Sequence, residues 1–328
     1  MDLLVTLADE NYIDQAKQFF SSVYWNSGWK GDYMLLAHNI PESKLVWFRN
    51  KGILIKKCKP IVKGKLWESR FPTSVLSKFY LFTNEFRKWQ KVIYLDADII
   101  VKSSLDPLLL YSGFSAGKNI GMRIYDEFLP ESLCFFKNYN LNKYSFCAGV
   151  IVFDTDIIRD YDFNRLRNLC MLFGRFTSFG DQGILNLYFY NKFNFLPELY
   201  NVPINYYLGN IPNCIRHNIG KKRIFGAIYH FLSFPKPWEE DSQYNNEWLY
   251  NFRLADKIDL SNRPVASRKF ETNSKIRYFL ITKILPFYSL EDIINNIKLK
   301  IDRIVGLIGF NIKKLNPSLY YFLRKYLG

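Results

Sequence analysis

Four short apolar segments alternate with three helix-like segments between residues 2 and 101, and this order constrains the fold more than any other feature. The apolar segments read DLLVTLA, GDYMLLAHNI, GILIKKCKP and KVIYLDADIIV. The segments between them read YIDQAKQFFSSVYWN, PESKLVWFRNKG and TSVLSKFYLFTNEF. Continuous apolar strands separated by crossover helices predict an α/β domain with a parallel sheet covered by helices on both faces.

The pattern predicts three parts of the chain. Residues 1–240 form the α/β domain, in which a loop-rich stretch at 117–140 precedes a further apolar strand, SFCAGVIVFDTD. FNRLRNLCMLFGRF is predicted to be helical, and GDQGILNLYFYN is predicted to be helical from Gln182. Residues 241–273 are polar and predicted to be a linker, and residues 274–328 form a basic amphipathic helical tail.

The tail has strong helical periodicity, with apolar residues at 290, 293, 294, 297, 301, 304, 305 and 308. Ser289 and Asp292 fit a helix cap at its start. From residue 261 to the end there are 13 Lys/Arg and 4 Asp/Glu, and large aromatic residues continue to the last segment. This composition favours a helix at an anionic membrane surface. A helix that packs back on the domain remains an alternative.

Charge and cysteine content limit the compartment and the partners. The net charge is +15, which indicates an anionic partner such as a phospholipid, a nucleic acid or a phosphorylated substrate. The five cysteines are scattered without a CxxC pair, as expected in a reducing compartment. The chain has neither a signal-peptide pattern nor an apolar run of transmembrane length. We therefore expect a cytoplasmic protein that associates peripherally with the cytoplasmic face of a membrane.

Two carboxylates one residue apart, Asp96 and Asp98, follow the apolar residues of the fourth strand. Residues i and i+2 of a strand share a face, so the two charges repel unless a cation, a basic side chain or solvent compensates them. Ligands of open parallel sheets bind at the carboxyl ends of the strands. Oxygen ligands at that edge suit Mg²⁺ or Mn²⁺, which commonly also hold phosphates.

A second polar group follows the apolar run in AIYHFLSFPKPW, residues 227–238. His230 ends this run, and Lys236 lies in the turn that follows it. A single histidine is more often structural than a ligand. An imidazole added to two carboxylates would favour Mn²⁺ over Mg²⁺.

Seven segments, in this order, resemble the glycogenin-like retaining glycosyltransferases of family 8, which have the GT-A fold, a mixed, mainly parallel sheet flanked by helices. They are LLVTLADENY, SKFYLF, VIYLDADIIV, FCAGVIVFDTD, GDQGILN, LPELYNV and YHFLSFPKPW, and they cover roughly residues 1–240. The resemblance implies metal-dependent transfer of a hexose from a UDP-sugar donor with retention at the anomeric carbon. It further implies a glycan or glycolipid acceptor, because lipopolysaccharide-building members end in similar basic, aromatic segments.

The resemblance identifies candidate residues for binding the nucleotide and the metal. Asp96 and Asp98 are similar to the Mn²⁺-binding pair and His230 to the third protein ligand, with Mg²⁺ as an alternative ion. Lys236 resembles the lysine that contacts the donor diphosphate. The resemblance places the donor-binding first loop at Thr6, Leu7 and Ala8, with Tyr12 against uracil, and it places further donor contacts at Asp96, Ala97, Ala148 and Ser233.

The resemblance also identifies candidate residues near the donor sugar. Lys78 is similar to a basic residue near the donor sugar, and Asp181 and Gln182 are similar to residues at the reacting face. The metal and the lysine would neutralise the departing UDP. Retention needs either a covalent intermediate or front-face attack, and both remain open. Tyr12, Lys78 and Lys236 also fit ordinary packing or solvated positions, and Asp181 also fits a helix N-cap.

The chain departs from the family pattern at two positions. Cys147 stands where the family usually has an asparagine that contacts the sugar, and a thiol is a poor hydrogen-bond donor. Ser233 replaces a glycine next to the phosphate, where its backbone N–H can still donate.

Three other functions remain open. A glycogenin-like self-glucosylating enzyme or a protein glycosyltransferase would use a tyrosine acceptor. The chain could also be a degenerate sugar-nucleotide-binding protein, since Cys147 departs from the family pattern. A basic nucleic-acid-binding protein is the third alternative, although nucleic acid is not expected as a partner because the chain has no recognisable nucleic-acid module.

Overall fold

A seven-stranded sheet forms the centre of the computed structural model, which describes residues 1–62, 71–204 and 226–265. Its strand order is β3-β2-β1-β4-β7-β6-β8, and a second sheet of three short strands has the order β5-β10-β9. The first four strands are parallel, β7 is antiparallel to both of its neighbours, and β8 is parallel to β6. The strands are β1 (Leu3–Ala8), β2 (Asp32–His38), β3 (Leu54–Cys58), β4 (Lys91–Leu95), β5 (Ile99–Val101), β6 (Phe114–Arg123), β7 (Tyr144–Asp154), β8 (Asn194–Leu196), β9 (Val202–Pro203) and β10 (Ile228–His230).

Five α-helices and ten 3-10 segments lie in the described part of the chain. The α-helices are α1 (Ile13–Ser27), α2 (Glu42–Asn50), α3 (Asp162–Phe173), α4 (Asp181–Tyr188) and α5 (Asn245–Leu254). The 3-10 segments are Glu10–Tyr12, Thr73–Phe82, Asn84–Lys88, Asp106–Leu110, Ile124–Glu127, Pro130–Phe136, Thr155–Ile157, Gly174–Phe176, Glu198–Tyr200 and Ala255–Lys257.

The central sheet separates two apolar cores, as the predicted α/β sandwich requires. Leu4 and its neighbours on one face pack with Phe19, Phe20 and Val23 of α1. The opposite face packs with the segment Thr73–Phe82 and with α3 and α4. Successive strand residues alternate between these cores, so both faces of the sheet are covered. Because the first four strands are parallel, their carboxyl ends lie at the same edge of the sheet.

The predicted fourth strand is divided, and the expectation that Asp96 and Asp98 share one strand face is wrong. β4 ends at Leu95, residues 96–98 form a turn, and Ile99 begins β5 in the second sheet. β5 pairs antiparallel with β10, with Ile99 opposite His230. The two carboxylates therefore meet at a turn between sheets, and the same pairing brings His230 beside them.

Two other predicted segments differ from the structure. Residues 73–82 form a 3-10 segment in place of an α-helix, and seven of its ten residues are buried on several sides. The conformation of a segment buried in this way depends more on its tertiary contacts than on the periodicity of a single apolar face. Within the predicted loop-rich stretch, residues 117–123 belong to β6. Two irregularities of its pairing with β7, between Ala116 and Gly117 and between Lys118 and Arg123, disrupt the regular alternation of a strand.

The described part of the predicted linker, 241–265, contains α5 and is attached to the domain. Trp25 Nε1 donates to the carbonyl of Leu254 at 3.3 Å, and Tyr24 donates to the carbonyl of Asp259 at 2.9 Å. The apolar side of α5, which includes the buried Trp248, gives this polar-looking segment a packing surface. The predicted tail at 274–328 lies outside the described residues. Within the described ranges, none of the helices is both long enough and apolar enough to span a membrane.

Candidate active site

A cavity of about 350 Å³ opens at the carboxyl ends of β1 and β4, between the two sheets. Its size is within the range of small-molecule sites. It brings together thirteen of the residues that the sequence analysis selected, which come from segments up to 229 positions apart. They are Leu7, Ala8, Tyr12, Lys78, Asp96, Ala97, Asp98, Cys147, Ala148, Asp181, Gln182, His230 and Lys236.

Two selected residues do not line the cavity. Thr6 is fully buried in β1, where the alternation of the strand directs it into the protein while Leu7 borders the cavity. Ser233 is half-buried in the loop after β10. Its neighbours Leu232 and Lys236 contribute to the lining instead.

The cation cluster, defined as Asp96, Asp98 and His230, lies at the junction of the sheets. One potential ligand atom of each residue lies within 4.8 Å of the others. His230 Nε2 is 3.3 Å from Asp98 Oδ1 and 3.9 Å from Asp96 Oδ2. A Cβ at Gly149 would lie 2.3 Å from His230 Cε1 and 2.6 Å from Asp96 Oδ2, so a glycine is needed for this approach. The backbone of β7 thus forms a wall of the cluster.

Hydrogen bonds outside the cluster fix its histidine. His230 Nδ1 lies 2.9 Å from Asn201 Oδ1, and Asn201 Nδ2 donates to the carbonyl of Lys118 at 3.3 Å. Because the amide nitrogen of Asn201 donates to the carbonyl of Lys118, the amide oxygen of Asn201 is the atom that accepts from Nδ1–H of His230. Nε2 is then the atom directed at the carboxylates. Such outer hydrogen bonds are the usual way in which a metal-binding histidine is oriented.

Positive charge is concentrated on Asp98. Lys236 Nζ lies 2.7 Å from Asp98 Oδ2 and also donates to the carbonyl of Phe231. Burial by itself would raise the pKa of Asp98, but Lys236 and His230 hold that pKa well below its usual range. Burial disfavours protonated His230, but the charges of Cys147 and Asp98 raise its pKa to about 10. Asp98 thus stabilises positive charge at Nε2, where a metal would replace the proton.

The donor set of the cluster fits a divalent cation. Two carboxylates and one imidazole with an oriented Nδ1–H match the preference of Mn²⁺, and carboxylates alone would match Mg²⁺. Asp96, Asp98 and His230 are the residues that would hold such an ion.

Lys78 is the buried cation on the other side of the cavity. Its Nζ lies 2.8 Å from Asp181 Oδ2 and 3.4 Å from Asp96 Oδ1, and it donates to the carbonyl of Ala148 at 2.9 Å. Burial lowers the pKa of Lys78, but Asp181 and Asp96 overcome this and raise it. The same burial raises the pKa of Asp181, which Lys78 opposes. Lys78 therefore connects the cation cluster to the start of α4.

Tyr12 borders the end of the cavity formed by β1. Its ring contacts Trp238 edge to face with centroids 5.8 Å apart, and the side chain is 37% exposed. Asp9 fixes the loop below it by accepting from the N–H of Asn11 at 3.0 Å and from Ser74 Oγ at 2.9 Å. Burial, followed by the charge of Asp98, raises the pKa of Tyr12 to about 12, so its hydroxyl remains neutral.

Cys147 and Ala148 of β7 border the opposite side. Cys147 Sγ lies 3.8 Å from His230 Nδ1. The N–H of Ala148 donates to Gln182 Oε1 at 2.9 Å, which brings the first turn of α4 against β7.

Sequence reasoning missed four residues that contact the selected ones. Tyr94 donates to Asp96 Oδ1 at 2.5 Å, Asn201 orients His230, and Glu127 and Asn119 contact each other beside Gln182. Tyr94 carried a signal, because a tyrosine two residues before Asp96 in a buried strand needs a hydrogen-bond partner. The other three are single polar residues in distant segments, and no spacing pattern identifies them.

Comparison with known proteins matches this chain to one family. The family model described as glycosyl transferase family 8 matches residues 4–242. Two curated relatives from Streptococcus pneumoniae serotype 4 are glycosyltransferase GlyB, 23% identical over 82% of this chain and 66% of its own, and glycosyltransferase GlyF, 25% identical over 90% and 72%.

Solved structures share the fold at low sequence identity. Galactosyltransferase LgtC, solved with donor and acceptor sugar analogues, has a TM-score of 0.57 and 19% identity over 77% of this chain and 95% of its own. Glycosyltransferase GlyE of S. pneumoniae TIGR4 has a TM-score of 0.57 and 22% identity over 79% and 62%. The chain spans about two thirds of GlyB and about half of the bifunctional glycosyltransferase WbbM.

The GT-A fold predicted from the sequence is the fold of LgtC. The family model covers most of the chain, including every residue that lines the cavity. The chain therefore belongs to glycosyl transferase family 8.

Proposed function

We propose that the protein transfers a hexose, glucose or galactose, from a UDP-sugar to a glycan or glycolipid acceptor, with retention of configuration and with Mn²⁺ as cofactor. One observation carries this proposal: a single cavity contains a cation cluster, the buried Lys78, the partly buried Lys236 and the first turn of α4. Nucleotide-sugar transfer needs all of these features, because a dianionic leaving group must be neutralised while the sugar is held in place.

The nucleotide side of the proposed reaction rests on Tyr12 and Lys236. Tyr12 offers an aromatic, neutral side chain at the mouth of the cavity, suited to a uracil ring. Lys236 offers an ammonium close to Asp98, suited to a diphosphate oxygen. When bound at Asp96, Asp98 and His230, a divalent cation would supply Lewis-acid stabilisation of the departing diphosphate.

The sugar side rests on Lys78, Asp181 and Gln182. Lys78 is surrounded by Asp181, Asp96 and the carbonyl of Ala148, so its ammonium holds these groups in place. Asp181 is thereby fixed where it can accept from sugar hydroxyls. Gln182 borders the cavity one residue later, at the proposed reacting face.

The proposed acceptor is membrane-associated. Its support is the composition of residues 274–328, which mixes basic and large aromatic residues. Binding of the full chain to vesicles with anionic lipid, reversed by salt and lost on deletion of 274–328, would support this part. Binding that is absent, or that survives the deletion, would overturn it.

Release of UDP tests the donor and the metal. Purified protein is assayed with UDP-glucose, UDP-galactose and their N-acetyl forms, with Mn²⁺, with Mg²⁺ and with EDTA. We expect metal-dependent release of UDP from one hexose donor. Calorimetry with each UDP-sugar distinguishes a missing acceptor from an incorrect assignment. Metal-dependent binding without turnover would direct the search to the acceptor, and absence of binding to every UDP-sugar would overturn the proposal.

A further inference from the structure

We propose that Glu127 is a positioning residue that holds the carboxamide of Gln182 in a single orientation beside the reacting sugar. This proposal rests on the proposed function, because it assigns a role in the same site. Glu127 does not line the cavity, and its side chain is fully buried behind Gln182. A buried glutamate is uncommon unless its charge has partners, so the surroundings of Glu127 need an explanation.

The carboxylate of Glu127 is directed at one group of Gln182. Gln182 Nε2 lies 2.9 Å from Glu127 Oε1 and 3.0 Å from Oε2, so it donates to the carboxylate. On its other side, Gln182 Oε1 accepts from the N–H of Ala148 at 2.9 Å. Both ends of the carboxamide are therefore used by the protein. Among its atoms, Oε1 retains an acceptor position for a ligand in the cavity.

This pattern excludes the flipped carboxamide. After a flip, the NH₂ group would face the N–H of Ala148, and the carbonyl oxygen would face the carboxylate of Glu127. Both contacts would be repulsive, and the hydrogen bond from Ala148 and the two charge-assisted contacts with the carboxylate of Glu127 would be lost. The N–H of Ala148 alone would favour the observed orientation, but Glu127 supplies the contact that involves an ionised group. Glu127 therefore determines which atom of Gln182 faces the substrate.

Backbone contacts hold Glu127 against the start of α4. Its carbonyl accepts from the N–H of Ser178 at 2.7 Å, and Phe128 forms a bridge with Thr177. A Cβ at Gly183 would lie 3.2 Å from the carbonyl oxygen of Glu127, which shows how closely α4 approaches this segment. The side chain and the main chain of Glu127 thus both contact the start of α4 or the residues just before it.

Two further partners, Asn119 and Ser145, complete what we call the carboxamide cluster, which is Glu127, Gln182, Asn119 and Ser145. Asn119 Nδ2 lies 3.3 Å from Glu127 Oε1, and Ser145 hydrogen-bonds to the carboxylate. The neighbouring charge is the carboxylate of Asp126. Among these described partners no cation faces Glu127, and burial raises its pKa to about 7 despite the hydrogen bonds.

Protonation should therefore weaken this contact within an accessible pH range. A protonated carboxyl group has an O–H that donates, so one of its oxygens no longer accepts from Gln182. We expect the turnover number to fall as the pH decreases through about 7. The stability has the opposite dependence. Because the folded-state pKa of Glu127 lies above the usual value, its contribution to the free energy of unfolding is largest below pH 4.5 and is lost as the pH rises to about 7.

A double-mutant cycle tests whether Glu127 acts through Gln182. Glu127→Gln, Gln182→Ala and the double variant are assayed for kcat and KM with the active UDP-hexose between pH 5.5 and 9. We expect Glu127→Gln to lower kcat about 10–100-fold, with KM nearly unchanged, and to abolish the decrease of kcat below pH 7. In the Gln182→Ala background, the same substitution should have no further effect on kcat. The control, Glu198→Gln, removes an exposed carboxylate.

Equal losses of kcat from Glu127→Gln in both backgrounds would overturn the proposal, as would an unchanged pH profile. A readout without turnover separates this proposal from the proposed function. The carboxamide resonances of Gln182, identified by their loss in Gln182→Ala, are followed by NMR during a pH titration. We expect a midpoint near 7 that disappears in Glu127→Gln. Resonances that do not change with pH would overturn the positioning role even if no UDP-sugar were turned over.

Discussion

The cation cluster lies at one end of the cavity, and the carboxamide cluster reaches the other end through Gln182 and Asn119, with Glu127 buried behind them. The two clusters are stabilised in different ways. The cation cluster combines two carboxylates with His230, and Lys236 pairs with Asp98 beside it, so the contacts are mainly electrostatic. In the carboxamide cluster, one carboxylate is surrounded by neutral donors and no cation is among the partners described. Charge at the first end suits neutralisation of a leaving group, and directional hydrogen bonds at the second suit orientation.

Lys78 joins the two ends. It contacts Asp96 of the cation cluster and Asp181, which precedes Gln182 in α4. In a fully buried position, such an ion pair keeps both ends at a fixed separation. The comparison therefore predicts that substitutions at the two ends have different consequences: loss of metal and UDP binding at one, and loss of turnover with retained binding at the other.

The largest effect is expected from Asp98→Asn, which removes the carboxylate shared by His230 and Lys236. Release of UDP should fall about 10²–10³-fold, because charge stabilisation of the leaving group is lost. The control is Asp160→Asn, whose carboxylate is 77% exposed and pairs with Arg87. Steady-state assays at saturating Mn²⁺ give the comparison, and similar rates for both variants would contradict the role of the cation cluster.

Lys78→Met should have the next largest effect, on stability as well as on turnover. It leaves Asp181 buried without its cation, which costs about 3–5 kcal/mol of the free energy of unfolding. Asp181→Asn in the same chain should recover much of this loss without recovering activity. The control Lys17→Met breaks the partly exposed pair with Asp14 and should cost less than about 1 kcal/mol. Urea denaturation measures all four, and a Lys78→Met variant as stable as Lys17→Met would refute the buried link.

A smaller, local effect is expected from Gly149→Ala. The added Cβ would displace His230 or Asp96, so the affinity for Mn²⁺ should fall about 10–100-fold. Gly121→Ala is the control, because its φ of +65° makes the substitution strained while no atom lies within 4 Å of the added Cβ. Calorimetric titration with Mn²⁺ distinguishes the two. An equal affinity of both variants for Mn²⁺ would remove Gly149 from the site.

The smallest effect is expected at the mouth of the cavity. Tyr12→Ala should raise the Kd of UDP about tenfold through loss of base stacking, and Tyr12→Phe should preserve the Kd. Because the pKa of Tyr12 is about 12, the Kd of the wild type relative to that of Tyr12→Phe should not depend on pH below 9. A Tyr12→Phe variant as weak as Tyr12→Ala would assign the effect to the hydroxyl group instead of the ring.

The sequence predicted the sheet and much of the cavity lining for a physical reason. Apolar strands such as Leu3–Ala8 alternate with helical segments along the chain, which is a clear sequence signal. When parallel strands are joined by helices, the carboxyl ends of the strands lie at one edge of the sheet. Asp96, Asp98 and His230 therefore had a predictable location. Their geometry was not predictable, because the chain turns at residues 96–98 and pairs β5 with β10, a contact between positions about 130 residues apart.

Hydrogen bonds between distant single residues were beyond the sequence pattern. Asn201 and Glu127 lie in segments without a regular spacing of polar residues. Lys78 forms an ion pair with Asp181, which is more than a hundred residues away in the sequence. The sequence pattern alone would class each of these side chains as a solvated polar residue, and only the family resemblance selected Lys78. Burial alone, which depends on the complete fold, shows that they must have partners.

The most direct test of the difference between the two ends is calorimetric titration of UDP into the wild type, Asp98→Asn and Glu127→Gln, each with Mn²⁺ and with EDTA. We predict that UDP binds the wild type and Glu127→Gln with similar Kd values in Mn²⁺ and weakly in EDTA. Asp98→Asn should bind UDP weakly in both. UDP binding that is equally tight in Asp98→Asn, or that does not depend on Mn²⁺ in the wild type, would contradict the assignment of the cation cluster to the nucleotide.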